Sequence, residues 1–542
     1  MMPSETAAAR LLAAARRMSL GEQLARAARR TPSQVAFRCE GHEIDFAEAE
    51  DRVTRLARAL SERGVGYGDR VAVLMMNRIE VIESYLAACR LGAMAVPVNF
   101  RLAADEVAYI LEDSGARILV VDSELATLAA AARGRVAHRG PPIGCVMVGG
   151  APEQVGDDCE DYEALIGASS PAPLEVDVAE SAPAFIMYTS GTTGRPKGAV
   201  LSHYNLMMNT FNMMSAMSME SEDRVWLSGL PLFHVGCLDG FLPYLMVGGA
   251  SVILPSGQFD PLSAVESLVR EEATACLFVP AQWQAICAVP GVKERAFKLR
   301  RILTGGSIAP PSVIRAMADT FPGTPIYNGF GQTEMSAVTC VLRGEDAIRK
   351  IHSVGRPVVN VEVRLVDDQM ADVAQGEVGE IVYRGPTVMQ GYWGRPAETE
   401  EAFTGGWFHS GDLCRMDEEG YIAVVDRKKD MIISGGENIY CAEVEAVIEG
   451  HVKVREVALI GVFDPRWGET PVAVIVPADS ADPPTGDEII AYCKERLASY
   501  KKPSAVVMVD ELPRNASGKV MKTDLRERFG RPGEAGSWVH LP

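Results

Sequence analysis

Short apolar runs alternate with longer segments of helical periodicity through the first two thirds of the chain, and this alternation most constrains the fold. Residues 71–75 read as a strand, 80–91 as a helix, 95–98 as a strand, 106–111 as a short helix and 117–121 as a strand. The pattern returns at 251–254, 275–279, 301–303 and 325–327, with helical segments between these runs. Runs without polar alternation are strands covered on both faces, so the sequence predicts α/β layers on largely parallel, buried strands. Near residue 360 the pattern changes. Short strands at 361–366, 379–384 and 421–425 are separated by Gly- and Asp-rich turns, which predicts a small, mostly antiparallel sheet or distorted barrel. A compact α+β tail follows Arg427. It has a helical face at Glu443, Val444, Val447 and Ile448, strands at 458–462, 472–476 and 505–509, and a helix at 488–497.

A chain of 542 residues is too long for one core and implies roughly two to four folding units. Its formal charge of −19 disfavours a protein that coats nucleic acid, although a local basic site for an anionic ligand is compatible with it. The 11 cysteines form no CxxC pair and no Cys/His cluster at zinc spacing, which points to reduced thiols and a cytoplasmic setting. No apolar run reaches the roughly 18 residues of a spanning helix. The Ala/Arg-rich stretch 7–30, with Arg10, Arg16, Arg17, Arg26, Arg29 and Arg30, reads as a surface helix, with weak contact to anionic lipid as the alternative. Linker-like composition appears at 167–183 and 478–486, and Gly and Pro in 531–542 suggest a flexible tail.

Residues 188–198 read Tyr-Thr-Ser-Gly-Thr-Thr-Gly-Arg-Pro-Lys-Gly and follow the apolar run 184–187. Gly191, Gly194 and Gly198 allow close backbone approach. The hydroxyls of Thr189, Ser190, Thr192 and Thr193 and the ammonium of Lys197 offer donors to an anion. A strand feeding such a loop suits a polyphosphate. The Walker pattern requires Gly-Lys-Ser/Thr, and here Gly198 follows Lys197, which disfavours a P-loop nucleotidase. Four further motifs follow in order. Asn328-Gly329-Phe330-Gly331-Gln332-Thr333-Glu334 combines backbone access with a hydroxyl and a carboxylate. His409-Ser-Gly-Asp412-Leu contains a carboxylate able to accept two hydroxyls. Residues 426–438 contain Arg427, Lys429 and the Ser434-Gly435-Gly436 step, and 513–519 end on Lys519. Taken singly, these are also the features of turns, caps and solvated charge runs.

Together, in this order and across about 330 residues, the five elements resemble the signature of the adenylate-forming superfamily, which includes acyl-CoA synthetases. The resemblance implies a large N-terminal domain (1–426) of layered α/β subdomains plus a small distorted barrel. A small mobile α+β domain (427–530), hinged near Lys429, and a tail (531–542) would follow. It implies that ATP is held by Thr189, Ser190, Gly191, Thr192, Thr193, Gly194 and Lys197, and that the adenine end lies near Gly305, Gly306, Ser307, Asn328, Gly329, Phe330, Gly331 and Gln332. Phe330 replaces the usual tyrosine, which retains stacking and loses the hydroxyl. Asp412 and Arg427 would bind ribose or phosphate, and Thr333, Glu334 and Lys519 would be catalytic. Glu334 with Thr189 would hold Mg²⁺.

The same resemblance implies two half-reactions. A carboxylate attacks the α-phosphorus of ATP, releasing pyrophosphate; a thiol then attacks the acyl carbon, releasing AMP. Ser434, Gly435, Gly436, Trp467, Tyr500 and Lys502 would bind coenzyme A. The absence of a carrier domain after Lys519 makes CoA the preferred acceptor. His234, Leu238 and Gly329 mark the acid pocket, with Cys237, Phe241, Met246, Trp283 and Met335 as apolar neighbours. The Phe-Asp motif of amino-acid-activating relatives is absent at 231–236. A medium- or long-chain fatty acid is therefore expected, with aryl or steroid-side-chain acids as the alternative. A non-catalytic acyl- or nucleotide-binding protein is disfavoured by the intact Glu334, Asp412, Arg427 and Lys519. The expected partners are the acid, ATP and CoA, without nucleic acid and without a spanning segment. A homodimer is compatible with the sequence.

Overall fold

The computed structural model describes residue 15 and residues 17–136, 142–189, 195–435, 437–514 and 519–529. These divide into two compact units, one within 1–363 and 383–408, the other within 364–382 and 409–542.

The first unit contains two mixed sheets. One has seven strands, in the order Cys159–Asp161, Gly144–Val148, Ile118–Asp122, Arg70–Leu74, Met94–Pro97, Pro183–Thr189, Lys197–Ser202. All neighbours are parallel except the last pair, which is an antiparallel hairpin. The other has nine strands, with a parallel middle that includes Ala275–Phe278, Arg301–Gly305 and Ile326–Gln332. As the unbroken apolar runs predict, Ala72, Leu74, Leu119 and Val121 are fully buried in one core, while Leu227, Cys276 and Ile302 are fully buried in another. Ligand clefts form at the carboxyl ends of such strands, which is where Gly305 and Thr189 lie, with Gly329 the ladder partner of Gly305.

The strand expected at 325–327 continues through the glycine motif to Gln332. It is paired on both sides, parallel to Arg301–Gly305 and antiparallel to Ala337–Leu342, with a slip between Phe330 and Gly331. The slip brings the chains so close that a Cβ on Gly331 would lie 1.8 Å from the Ala337 carbonyl oxygen. Only glycine fits there. The His203–Ala216 helix starts on a reciprocal cap: Asn205 N–H donates to Ser202 Oγ at 3.1 Å, and Ser202 N–H to Asn205 Oδ1 at 2.9 Å.

The small distorted barrel takes the form of a four-stranded sheet in linear order, Glu362–Val366, Gly379–Arg384, Phe408–Met416, Ile422–Arg427, most of whose residues fall in the second unit. A further sheet is built on the long antiparallel pair Val454–Asp464 and Gly468–Pro477, with Ala505–Met508 parallel to the latter. Its residues alternate between two cores. Val457, Leu459, Ala473 and Ile475 face Val444, Ile448 and Ile489. Ala458, Ile460, Val472 and Val474 face Leu525 and Phe529. The period of two explains why these strands read as unbroken apolar runs. Residues 531–542 lie outside the described residues, as do 7–14 and 16 of the N-terminal stretch.

Candidate active site

In the first unit, Thr189 ends one arm of the antiparallel hairpin and Lys197 begins the other, paired directly across the ladder. Ser190, Gly191, Thr192, Thr193 and Gly194 fall outside the described residues. The 389–393 segment adds to the hairpin's outer edge. Gln390 N–H donates to Val200 O at 2.8 Å, Val200 N–H to Gly391 O at 3.0 Å, and Trp393 N–H to Gly198 O at 2.8 Å. This addition brings Tyr392, which the motifs did not single out, into the site. Its hydroxyl donates to Glu334 Oε1 at 3.1 Å, and Lys197 Nζ lies 5.3 Å from its ring centroid. Burial, reinforced by the Glu334 carboxylate, pushes the Tyr392 phenol well above its ordinary range, so it remains a donor.

Glu334 sits in the one-turn 3-10 segment Thr333–Met335, directly after the Ile326–Gln332 strand. Thr189 Oγ1 lies 3.4 Å from its Oε1, and its own carbonyl accepts Met389 N–H at 2.8 Å. Among the described residues no cation pairs with Glu334. A half-buried carboxylate whose neighbours are hydroxyls is an oxygen-only donor set, and hard cations such as Mg²⁺ favour such sets with few protein ligands. The donor chemistry fits that ion. No cluster of three His, Cys, Asp or Glu side chains able to hold a metal occurs among the described residues.

Gly305 and Gly329 are ladder partners. A Cβ on Gly305 would lie 2.8 Å from Gly329 O, so the two strands leave room for neither a side chain nor a wider gap. Gly306 (φ +81°) turns the chain outward, and Gly306 and Ser307 are exposed. Phe330 is half-buried, and Asn328 is buried beside Thr304.

His234 is the N-cap of the Val235–Val247 helix, with Phe233 stacked at 4.4 Å between centroids. The apolar residues read from sequence as lining the acid pocket are largely core. Leu238, Phe241 and Met335 are buried, and Trp283 is fully buried with Nε1–H donating to Leu303 O at 2.8 Å. Trp283 also packs edge-on against Phe278 and Phe321, which commits its ring to the core beneath the sheet. Behind the helix, a cavity of about 20 Å³ is bounded by Ile82, Trp226, Leu232, Cys237 and Phe241. That space holds about one water molecule.

The second unit brings Asp412 to Arg427. They are register partners on adjacent strands, with Arg427 Nε 2.6 Å from Asp412 Oδ1. Asp412 is 3% exposed and Arg427 is 42% exposed, so the guanidinium faces outward from a carboxylate beneath it. Lys429 lies exposed in the turn after Arg427. Ser434 ends a short strand, and Gly435 follows at φ +60°, its N–H donating to Trp467 O at 2.7 Å. A Cβ on Gly435 would meet the Trp467 ring at 2.8 Å. Gly436 lies outside the described residues. Trp467 and Tyr500 are exposed, and Lys501 rather than Lys502 is anchored, pairing with Glu443 at 2.7 Å. Lys502 is half-buried and Lys519 exposed.

The profile of the AMP-binding enzyme family matches residues 24–393, and that of the AMP-binding enzyme C-terminal domain matches 443–519. The chain is 42% identical over 518 residues to a feruloyl-CoA synthase of an Amycolatopsis species, covering 95% of this chain and all of that one. It is 38% identical over 487 residues to a long-chain-fatty-acid–CoA ligase of Mycobacterium tuberculosis, covering 90% and 93%. Among solved structures it is similar to the o-succinylbenzoate CoA synthetase of Bacillus subtilis. In complex with its acyl-adenylate intermediate that enzyme gives 32% identity, a TM-score of 0.80 and coverage of 95% and 99%. The same enzyme in complex with ATP and magnesium gives a TM-score of 0.81 at 31% identity, covering 93% and 99%.

Proposed function

Because the chain belongs to the AMP-binding enzyme family and is an AMP-forming acid–CoA ligase, we propose that it activates an aryl or arylalkanoic acid as its adenylate and transfers the acyl group to coenzyme A. The carrying observation is the similarity to a feruloyl-CoA synthase, which extends over 95% of this chain and all of that one. The 42% identity to a feruloyl-CoA synthase supports an aromatic acid. The 38% identity to a long-chain-fatty-acid–CoA ligase favours a medium- or long-chain fatty acid as the second reading.

In this reading Thr189, Lys197 and the 190–194 loop hold the β- and γ-phosphates, and Lys197 neutralises charge there. Glu334 with Thr189 would hold Mg²⁺, which when bound offsets phosphate charge. Gly305, Gly306, Ser307 and the 328–333 strand take the adenine, and Asp412 and Arg427 the ribose. Lys519 meets the reacting carboxylate and α-phosphate, where a flexible ammonium suits charge that grows during attack. The carboxylate oxygen bonds to the α-phosphorus as the bond to pyrophosphate breaks. The thiolate of CoA then bonds to the acyl carbon as AMP leaves. A hinge at Lys429, separating 1–426 from 427–530, would exchange Lys519 for the Ser434–Gly436 wall, Trp467, Tyr500 and Lys502 between steps. A screen of CoA-dependent AMP release over C2 to C20 acids, cinnamic and arylacetic acids and sterol-derived acids tests the assignment. Cinnamic or arylacetic acids should give the highest kcat/KM. A maximum at C12 or longer would overturn the aryl reading in favour of the second one.

A further inference from the structure

The turn that carries Glu334 is held by a buried polar chain that the proposed chemistry does not use. Directly after it, Ser336 and Ala337 both take positive φ, +59° and +99°. Residues with a side chain keep that conformation only where their surroundings hold them. Ser336 is fully buried. Its carbonyl accepts Asn209 Nδ2–H at 2.6 Å, and its hydroxyl donates to Thr387 O at 2.8 Å. The second N–H of Asn209 goes to Asp239 Oδ1. An amide nitrogen has two N–H groups, and here both are used, which fixes the rotation of the amide. The arrangement leaves Asn209 Oδ1 and Asp239 Oδ2 buried without hydrogen-bond partners among the described residues. Buried unsatisfied atoms are uncommon and concentrate where structure serves function. On the opposite side, Met389 N–H holds the Glu334 carbonyl, two residues from Thr387. The catalytic turn is thus gripped from both flanks within the first unit.

We propose that Asn209 and Asp239 are positioning residues for Glu334. The Asp239 carboxyl orients the Asn209 amide, the amide holds the Ser336 carbonyl, and that bond sets the turn from which Glu334 reaches Thr189 and Tyr392. The inference rests on the reading of Glu334 as the cation-holding residue.

Two readouts test it in the full chain: the Mg²⁺ dependence of acid-driven ATP–pyrophosphate exchange, and hydrogen exchange of the 333–337 amides without ligand. Misplaced catalytic groups lose up to about 100-fold in rate, so Asn209→Ala should lower exchange at least about 10-fold and raise the half-saturating Mg²⁺ about 5-fold. Amide exchange at 333–337 should rise about 10-fold in Asn209→Ala and stay unchanged in Glu334→Gln. Asp239→Leu should follow Asn209→Ala, and Asp239→Asn, which keeps the Oδ1 acceptor, should rescue most of the loss. Ser336→Gly frees the positive-φ backbone and removes the hydroxyl bond to Thr387 O, and should shift both readouts the same way; it decides the matter if Asn209→Ala does not fold. In a Glu334→Gln background, Asn209→Ala should add less than about 2-fold, the mark of a shared path. Full additivity, or an unchanged Mg²⁺ dependence in Asn209→Ala beside a shifted one in Glu334→Gln, would overturn the proposal alone. An unchanged Mg²⁺ dependence in Glu334→Gln would overturn the underlying reading as well.

Discussion

Asp239 offers a prediction that stability alone can read. Its carboxyl is buried in the Val235–Val247 helix at 6% exposure, and among the described residues no cation pairs with it. Burial raises its pKa well above the ordinary carboxylate value, and the Asn209 bond offsets only part of that rise. In the unfolded chain the group titrates near about 3.9. The folded protein therefore retains a proton that the unfolded chain releases above that pH. The stabilising contribution is therefore complete below the unfolded pKa and is lost as pH rises towards the folded one. Over that window the loss is about 1.4 kcal/mol per pH unit, undiminished by solvent because the group is buried. Asp239→Asn cannot ionise and keeps the acceptor that Asn209 needs. Its stability relative to the native chain should therefore climb with pH above the unfolded pKa, by at most about 1.4 kcal/mol per pH unit, until the folded pKa is reached. Urea midpoints followed by the fluorescence of buried Trp226 and Trp283 measure this at pH 5, 6 and 7. A gap between variant and native chain that stays constant with pH would refute the reasoning, because it would mean that Asp239 carries the same charge folded and unfolded.

Lys519→Ala should reduce acid-dependent pyrophosphate exchange by about 100-fold or more while leaving thioester formation from a supplied acyl-adenylate within a few-fold; equal loss of both half-reactions, measured separately, would refute its assignment. Gly435→Val should slow transfer to CoA about 10-fold and spare exchange, because a β-branched residue is strained at φ +60° and displaces Trp467; unaltered thioester formation would remove Gly435 from the thiol path. Gly331→Ala should cost about 2 kcal/mol or more, since its Cβ would lie 1.8 Å from Ala337 O and both groups are backbone; an unshifted melting curve by circular dichroism would contradict the strand slip. Glu334→Gln should weaken the Mg²⁺ dependence of exchange and leave the melting temperature nearly unchanged, as a half-buried carboxylate without a cationic partner among the described residues contributes little to folding.

Much of the fold was legible because its strands are covered on both faces, so that apolar runs such as 71–75 and 472–476 mark strands without needing alternation. What local pattern could not reveal is pairing at a distance. The strand expected to stop at Tyr327 continues to Gln332 because Ala337–Leu342 folds back on it, an arrangement that depends on the slip at Gly331. The candidate site divides in the same way. Thr189, Lys197 and Glu334 were visible as motif residues, and the structure brings Thr189 to Glu334 across 145 positions. Tyr392 reaches Glu334 across 58 positions and Asn209 reaches Ser336 across 127, and neither has a local signature beyond residue type. Adjacent aromatics in the Gly391-Tyr-Trp-Gly394 turn were the one available hint of the first. Trp283 shows the opposite failure, since a tryptophan suited to a pocket wall is equally suited to a core, and only its bond to Leu303 O decides which it is.

The most direct test of the central claim is ATP–pyrophosphate exchange in the absence of CoA, with a cinnamic acid as the carboxylate. The expected result is exchange that depends on the acid and on Mg²⁺, followed, once CoA is added, by one AMP released for each thioester formed. Exchange with no carboxylate, or the release of ADP and phosphate in place of AMP and pyrophosphate, would contradict it.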